Sequence, residues 1–260
     1  PPRRRKGART VANLFRAQWY RLFCRPSTAI LLLVMAALAG LVAVQFTASW
    51  TDCYAFRAVL GRASGVGVCG PFVGLFLAAF FADDFQQGTV RSLMVGKGSR
   101  RAWGSAALVL AVLVAAGALL MEAVVTGVVY GAMGGAPVAF DGRELALWWL
   151  TATLLITAFT MLATLAAILV PVNPPAAAII AATLLTSGLG FWFCQSAALS
   201  LPSPVGAFVE QEVLPLSLTQ IRLNLLNGLP IEVWWLADGA LVTAAATVAI
   251  MVVMARRELR

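Results

Sequence analysis

Six long apolar stretches alternate with polar or basic segments along the 260-residue chain. Since a bilayer core of about 30 Å needs about 20 apolar residues per helix, each stretch predicts a membrane-spanning helix. The predicted spans are residues 28–50, 63–82, 102–131, 147–170, 176–199 and 233–254, with a short polar turn at 141–144 before the fourth. The pattern therefore predicts an all-α membrane protein with one transmembrane domain over residues 1–260.

The segment before the first span, residues 1–25, has the pattern of a basic tail and an amphipathic helix. Its apolar side chains recur at helical spacing, with arginines mostly between them: Val11, Leu14, Phe15, Trp19, Leu22 and Phe23. Such a helix lies in the membrane interface, with Trp19 and Tyr20 at headgroup depth and Pro26 turning the chain into the first span. A signal peptide is a poorer interpretation, because the apolar run that follows is too long.

Residues 201–231, between the fifth and sixth spans, are apolar but interrupted by prolines such as Pro215 and Pro230. They predict two short helices, over 205–214 and 216–226. Irregular backbone at membrane depth persists only where protein or a watery cavity covers it. The segment is therefore either a re-entrant pair of half-helices near the outer face or two helices lying flat on the outer surface.

Positive charge is unevenly divided between the two sides of this topology. Residues 1–25, 83–101 and the C-terminal tail hold fifteen of the 19 Lys and Arg residues. The other side holds only Arg57, Arg62, Arg143 and Arg222. Because positive residues near span ends are retained in the cytoplasm, both termini are predicted to be cytoplasmic.

Composition narrows the function classes. The chain is 61% hydrophobic and 12% charged, with net charge +8 and mean hydropathy +0.88, which excludes an ordinary soluble enzyme and favours lipid over nucleic acid as the partner. It has no His, which excludes imidazole-based catalysis and zinc sites. The four Cys are scattered, so no metal site is predicted; a disulfide between Cys53 and Cys194 on the outer face is an open alternative.

Two glycine-rich signatures do not predict a nucleotide site. Residues 65–70 match G-x-G-x-x-G but lie inside an apolar span, and residues 96–99 lack the Gly and Ser/Thr spacing of a phosphate loop. Gly61/Gly65 and Gly70/Gly74 instead have G-x-x-x-G spacing, which lets two helices approach closely. The chain is therefore predicted to bind no cofactor and to have no catalytic residues of its own.

The most informative segment is the link between the second and third spans, residues 83–101. It is a compact, mostly helical, half-polar segment with acids before Thr89 and bases after it, the order that a helix dipole favours. Its key residues follow the order acid, Gly-Thr, Leu, Ser-Arg: Asp84, Gly88, Thr89, Leu93, Ser99 and Arg100. In this order it resembles the cytoplasmic link of ABC-2-type transporter permease subunits. Lys97 departs from the pattern, because many members have Pro or Gly there.

The elbow helix, six spans and broken outer segment extend the resemblance over the whole chain. It implies the membrane half of an ATP-driven exporter in the bacterial cytoplasmic membrane, paired through its first and fifth spans with a second permease, identical or homologous. It also implies two separate ABC ATPase subunits, which bind ATP and Mg, and a coupling helix at Asp83, Asp84, Gly88, Thr89, Leu93, Ser99 and Arg100 that docks on them. An interior with few charges favours a hydrophobic or amphipathic cargo such as a drug, an antimicrobial peptide or a lipid.

A physical argument agrees with this interpretation. A chain without a nucleotide site must receive energy from ATP through a partner, and coupling needs a rigid lever. Asp83 and Asp84 are expected to form charge pairs with Arg100 and Arg101 or with the partner. The plainer alternative is that these charges only keep the loop in water.

Two ionisable residues lie well inside predicted spans, Glu122 in the third and Asp238 in the sixth. Such residues are costly in a membrane and often functional, so both are candidates for a cavity. They also define the alternative function, a stand-alone ion-coupled secondary transporter, although no inverted repeat supports it. An intramembrane enzyme is a poorer interpretation, because the chain offers no nucleophile-base pair there.

Threonines line the fourth and fifth predicted spans. We expect them to hydrogen-bond between helices rather than to bind cargo. They are Thr151, Thr153, Thr157, Thr160, Thr164, Thr183 and Thr186.

Overall fold

The computed structural model describes residues 2–49, 59–60, 69–86, 100–134, 142–170, 173–187, 192, 195–197, 200, 202–209, 217–227 and 229–256. Most of these residues are helical, and none of them lies in a strand. The helices are α1 (Pro2–Phe23), α2 (Pro26–Ser49), α3 (Cys69–Gln86), α4 (Arg100–Ala132), α5 (Gly142–Leu169), α6 (Pro174–Ser187), α7 (Ser203–Phe208), α8 (Leu218–Leu226) and α9 (Val233–Arg256).

Four helices are long and apolar enough to cross a membrane. The qualifying segments are Pro26–Gln45 in α2, Ala102–Ala132 in α4, Gly142–Leu169 in α5 and Val233–Arg256 in α9. They correspond to the first, third, fourth and sixth predicted spans. The second predicted span begins, and the fifth continues, in residues outside the described part. The described apolar residues of these two spans belong to α3 and α6. The protein is therefore an all-α, multi-pass membrane protein.

Helix α5 begins earlier than predicted. Residues 142–144 of the predicted turn form its first turn, which starts at Gly142 and contains Glu144; Asp141 lies outside the described residues. A carboxylate in the first turn of a helix interacts favourably with the helix dipole, so these residues extend the helix instead of ending it.

Helix α5 is the centre of the bundle. It packs against α3, α4, α6 and α9. Of the most apolar stretch of α5, 72% is buried inside the protein, against 22% for α2. Helices α3, α4, α6 and α9 therefore surround α5, and α1 and α2 pack against α4.

The outward faces of α2 and α4 are apolar. On α4 the side chains of Leu120, Val124 and Val128 follow one another by one turn and are all exposed, as are Leu33 and Leu41 on α2. A water-soluble protein rarely exposes such continuous apolar surface, whereas a bilayer requires it. These faces suit contact with the apolar interior of a bilayer.

Glycines mark the closest helix crossings. A Cβ added at Gly74 of α3 would lie 3.5 Å from Oγ1 of Thr160 on α5, and one at Gly239 of α9 would lie 3.3 Å from Cβ of Leu154. Gly74 is one of the glycines predicted to permit close approach. Of the other three, Gly61 and Gly65 lie outside the described residues. Small residues at these points let the backbones come together without a cavity.

Helix α1, the start of α4 and the end of α9 meet at one end of the bundle. Leu14 of α1 packs in a small apolar cluster with Ala102 and Ala106 of α4. One turn away, a Cβ at Gly104 would lie 3.1 Å from Cγ of Met251 near the end of α9. The first and last helices therefore reach the same end of the bundle.

The opposite end carries the short helices. Ser217 caps α8 by accepting the backbone N–H of Gln220 at 3.2 Å, and Ile221 and Leu225 are buried in the core. Arg222 donates to the carbonyl of Thr186 in the last described turn of α6, which ties α8 to α6. The second predicted short helix is thus present as Leu218–Leu226, while α7 covers part of the first.

Candidate functional site

The corner between α1 and α2 presents two arginines on one side. The hydroxyl of Thr28 donates to the carbonyl of Leu22 at 2.5 Å, and the backbone N–H of Thr28 donates to the carbonyl of Arg25 at 3.1 Å. Pro26 begins α2, at a position where its missing N–H costs nothing. These bonds fix the corner. Arg21 and Arg25, which are four residues apart in sequence, therefore lie on the same side of it.

The end of α3 presents two carboxylates to them. Asp84 lies one residue after Asp83 near the last turn of α3, and its side chain is fully buried. Asp83 is partly exposed, at 24%. A buried carboxylate is costly without a charged partner, so the position of Asp84 requires one.

Both carboxylates pair with the arginines of the elbow. Nη2 of Arg21 lies 2.5 Å from Oδ1 of Asp84, and Nη2 of Arg25 lies 3.0 Å from Oδ2 of Asp83. The guanidinium carbons stand 5.4 Å and 5.2 Å from the ring centroid of Phe80, which lies between the two pairs. Cation–π attraction to that ring adds to each pair. We call Arg21, Arg25, Asp83 and Asp84 the Arg–Asp clamp.

Burial dominates the electrostatics of Asp84. It raises the pKa of this carboxyl above its ordinary value, and the adjacent Arg21, with Arg25 further away, counteracts that effect only in part. The clamp therefore contains one strongly desolvated ion pair, Arg21–Asp84, and one in contact with water, Arg25–Asp83.

An aromatic cluster joins the end of α3 to the start of α4. The ring of Trp103 lies 5.0 Å from that of Phe85 and 6.0 Å from that of Phe81, edge to face in both cases. Trp103 is almost completely buried. The helices on both sides of residues 87–99 are therefore held together at their bases, and the clamp ties that base to α1.

The predicted coupling residues divide into two groups. Asp83 and Asp84 are in the clamp, and Arg100 is the first residue of α4. The others lie outside the residues that the structure describes: Gly88, Thr89, Leu93 and Ser99. The predicted pairing of the aspartates with Arg100 and Arg101 involves side chains outside the described part of the structure. In the described part, Asp84 pairs with Arg21 and Asp83 pairs with Arg25.

The two intramembrane acids lie on helices that pack together. Glu122 on α4 is fully buried, and Asp238 on α9 is partly buried. Gly104 faces Met251, so the helices run antiparallel. With a rise of about 1.5 Å per residue, Glu122 lies about 27 Å and Asp238 about 20 Å from that crossing. The acids are therefore within about 8 Å of the same height in the bundle.

The prediction that the threonine hydroxyls hydrogen-bond to neighbouring helices is wrong for the bonds in which they are donors. On α5 each hydroxyl donates to the carbonyl four residues earlier, as Thr157 does to Thr153 at 2.7 Å and Thr164 to Thr160 at 2.7 Å. The same bond is formed by Thr151, Thr153, Thr160, Thr183 and Thr186. Inside a helix this carbonyl is always within reach, so the hydroxyl is satisfied without a partner helix.

A shallow apolar groove of about 400 Å³ runs between the end of α5 and the outer face of α6. Its lining includes Val170, Ile180 and Leu184. It suits an apolar occupant such as a lipid chain or another helix.

Among the described residues, no group of three or more Cys, Asp or Glu is placed to hold a metal ion. Cys24 is a free, exposed thiol. The alternative disulfide between Cys53 and Cys194 lies outside the described residues.

No known protein-family model matches this chain, and no curated protein matches it.

Proposed function

We propose that this chain is the permease subunit of an ATP-driven exporter of the ABC-2 type, with six spans and both termini in the cytoplasm of a bacterium. The cargo is a hydrophobic or amphipathic molecule such as a drug, an antimicrobial peptide or a lipid. Energy comes from two separate ATPase subunits that bind ATP and Mg, and a second permease, identical or homologous, completes the transporter.

The Arg–Asp clamp is the observation that carries the proposal. A coupling segment transmits force only if its ends are stiffly connected to the helices that must move. The clamp and the aromatic cluster together hold α1, α3 and α4 at the base of residues 87–99. This is the base that a docked ATPase would push against.

The motif residues Gly88, Thr89, Leu93, Ser99 and Arg100 then form the docking face. The free apolar face of α6, with its groove, offers a surface for the second permease. In this proposal the partner hydrolyses ATP, which agrees with the lack of a nucleotide signature in the sequence.

Co-purification tests the proposal. The tagged chain is purified in mild detergent from its native host, and the ATPase subunit is expected to accompany it. Gly88→Arg and Leu93→Glu are expected to abolish co-purification. The matched controls are Gly131→Arg and Leu229→Glu, at exposed positions away from the clamp, which are expected to retain the ATPase.

A chain that purifies alone and transports in liposomes along a proton or sodium gradient would contradict the proposal. It would favour the second candidate, an ion-coupled carrier. The observation in favour of that candidate is the complete burial of Glu122 at nearly the same height as Asp238. In that case Glu122→Gln and Asp238→Asn should each abolish gradient-driven transport, while Glu144→Gln should not.

A further inference from the structure

Helix α1 is strongly basic along its length. Residues 1–51 contain eight Arg and Lys residues and no Asp or Glu. Two of the eight, Arg21 and Arg25, belong to the clamp. The other six precede it: Arg3, Arg4, Arg5, Lys6, Arg9 and Arg16.

The same helix carries a ladder of aromatic side chains one turn apart. The ring centroids of Phe15 and Trp19 are 5.6 Å apart, and those of Trp19 and Phe23 are 4.5 Å apart. Phe15 is partly buried, whereas Trp19, Phe23 and the neighbouring Tyr20 are exposed. The clamp fixes the rotation of α1, because Arg21 faces Asp84, and so keeps Trp19 and Phe23 on the outside.

The bilayer begins immediately after this ladder. Helix α2 starts at Pro26, and its first outward side chains, Ile30 and Leu33, are exposed and apolar. Exposed Trp and Tyr at the end of an apolar helix are typical of the headgroup region. The exposed Arg16 lies between Phe15 and Trp19 on the same helix, close to this boundary, where lipid phosphate is the available anion.

We propose that residues 3–9, Arg16 and the ladder Phe15, Trp19 and Phe23 form a binding surface for anionic phospholipid headgroups. The cations attract the headgroup charge, and the aromatic rings anchor the helix at headgroup depth. This surface is independent of the proposed exporter function, because it needs only the membrane and the clamp.

Contact-dependent fluorescence quenching tests the surface on the full-length protein. The four native cysteines are replaced by alanine, and a fluorophore is attached at Ala12→Cys, an exposed position close to Arg9. The protein is placed in phosphatidylcholine vesicles with a trace of spin-labelled phosphatidylglycerol or phosphatidylcholine. A fluorophore at Leu41→Cys, exposed on α2, is the matched control.

At low salt, phosphatidylglycerol is expected to quench the fluorophore at position 12 about fivefold more than phosphatidylcholine, the preference that one cation near an anionic surface supplies. The ratio at position 41 should be near one. About 1 M salt, where the screening length falls to about 3 Å, should bring the ratio at position 12 near one without any change to the protein. Replacing the six cations Arg3, Arg4, Arg5, Lys6, Arg9 and Arg16 by Gln should do the same, and replacing the five arginines by Lys should not.

Equal quenching by the two lipids at position 12 would overturn the proposal and favour an acidic protein as the partner of these cations. A preference that survives both high salt and the Gln variant would overturn it as well.

Discussion

The strength of the Arg–Asp clamp is tested by removing its two arginines one at a time. Arg21→Met takes away the partner of the fully buried Asp84, whereas Arg25→Met takes away the partner of Asp83, which is 24% exposed. Unit charges about 4 Å apart attract by about 4 kcal/mol at an effective dielectric constant of about 20. Burial opposes this attraction in the first pair, and water weakens it in the second.

We expect Arg21→Met to lower the free energy of unfolding by about 3 kcal/mol at pH 8, the lower end for a broken buried pair, because Arg21 itself is 26% exposed. Arg25→Met should cost about 1 kcal/mol or less. The free energy of unfolding of the double variant Arg21→Met/Asp84→Leu should lie within about 1 kcal/mol of the wild-type value, since the variant removes the buried charge together with its partner.

The cost of Arg21→Met depends on pH through the pKa of Asp84. Because the pKa of Asp84 is higher in the folded protein than in the unfolded chain, the folded state binds more protons between the two pKa values. The free energy of unfolding attributable to Asp84 therefore falls as pH rises through that window. Without Arg21 the pKa of Asp84 in the folded protein is higher still, so the buried carboxyl is neutral over a wider pH range. The cost of Arg21→Met should therefore be smaller at pH 5 than at pH 8.

Denaturant titration in micelles, followed by the fluorescence of the eight tryptophans, measures all four proteins at both pH values. Two results would refute the reasoning. One is a cost for Arg21→Met no larger than that for Arg25→Met. The other is a double variant no more stable than Arg21→Met alone.

Three other stability predictions use the same titration. Gly239→Ala should lower the free energy of unfolding by about 1–3 kcal/mol, because the added methyl meets the Cβ of Leu154 at 3.3 Å. Gly104→Ala meets a flexible methionine side chain and should cost less. Equal losses of stability in the two variants would contradict the packing argument. Arg222→Gln should destabilise the protein and speed amide exchange in the last turn of α6, because that turn loses the donor to its carbonyl; unchanged exchange would show that water replaces it. Gln18→Met should stabilise by about 1 kcal/mol, because among the described residues neither side-chain polar atom of this buried glutamine has a hydrogen-bond partner; a loss of stability would point to a bound water.

Apolar stretch length predicted the long helices well, because a membrane span needs about 20 apolar residues whatever its neighbours are. The helix starts were less accurate. Glu144 was assigned to a turn by its polarity, but in the first turn of α5 its charge favours the helix. Polarity alone does not distinguish a turn from a helix start.

Hydrogen-bond partners were the weakest part of the prediction, for two different reasons. Thr157 and Thr160 bond to their own helix, a local option that competes with any partner helix. Asp84 bonds to a residue far away in sequence, and an aspartate in the sequence does not specify which arginine it meets. The available signal was weak: two arginines end the elbow, two aspartates end the second span, and both ends lie on the same side of the predicted topology.

The clamp gives a reason for two acidic residues at the end of an apolar helix. A helix that only had to keep a loop in water would place its carboxylates outwards, whereas Asp84 is fully buried. Burying it costs free energy that outward placement avoids. What the burial supplies is a fixed geometry between α1 and α3, in a place where apolar contacts alone would let the helices slide. In the proposed exporter, the clamp would therefore carry a push on residues 87–99 to α1.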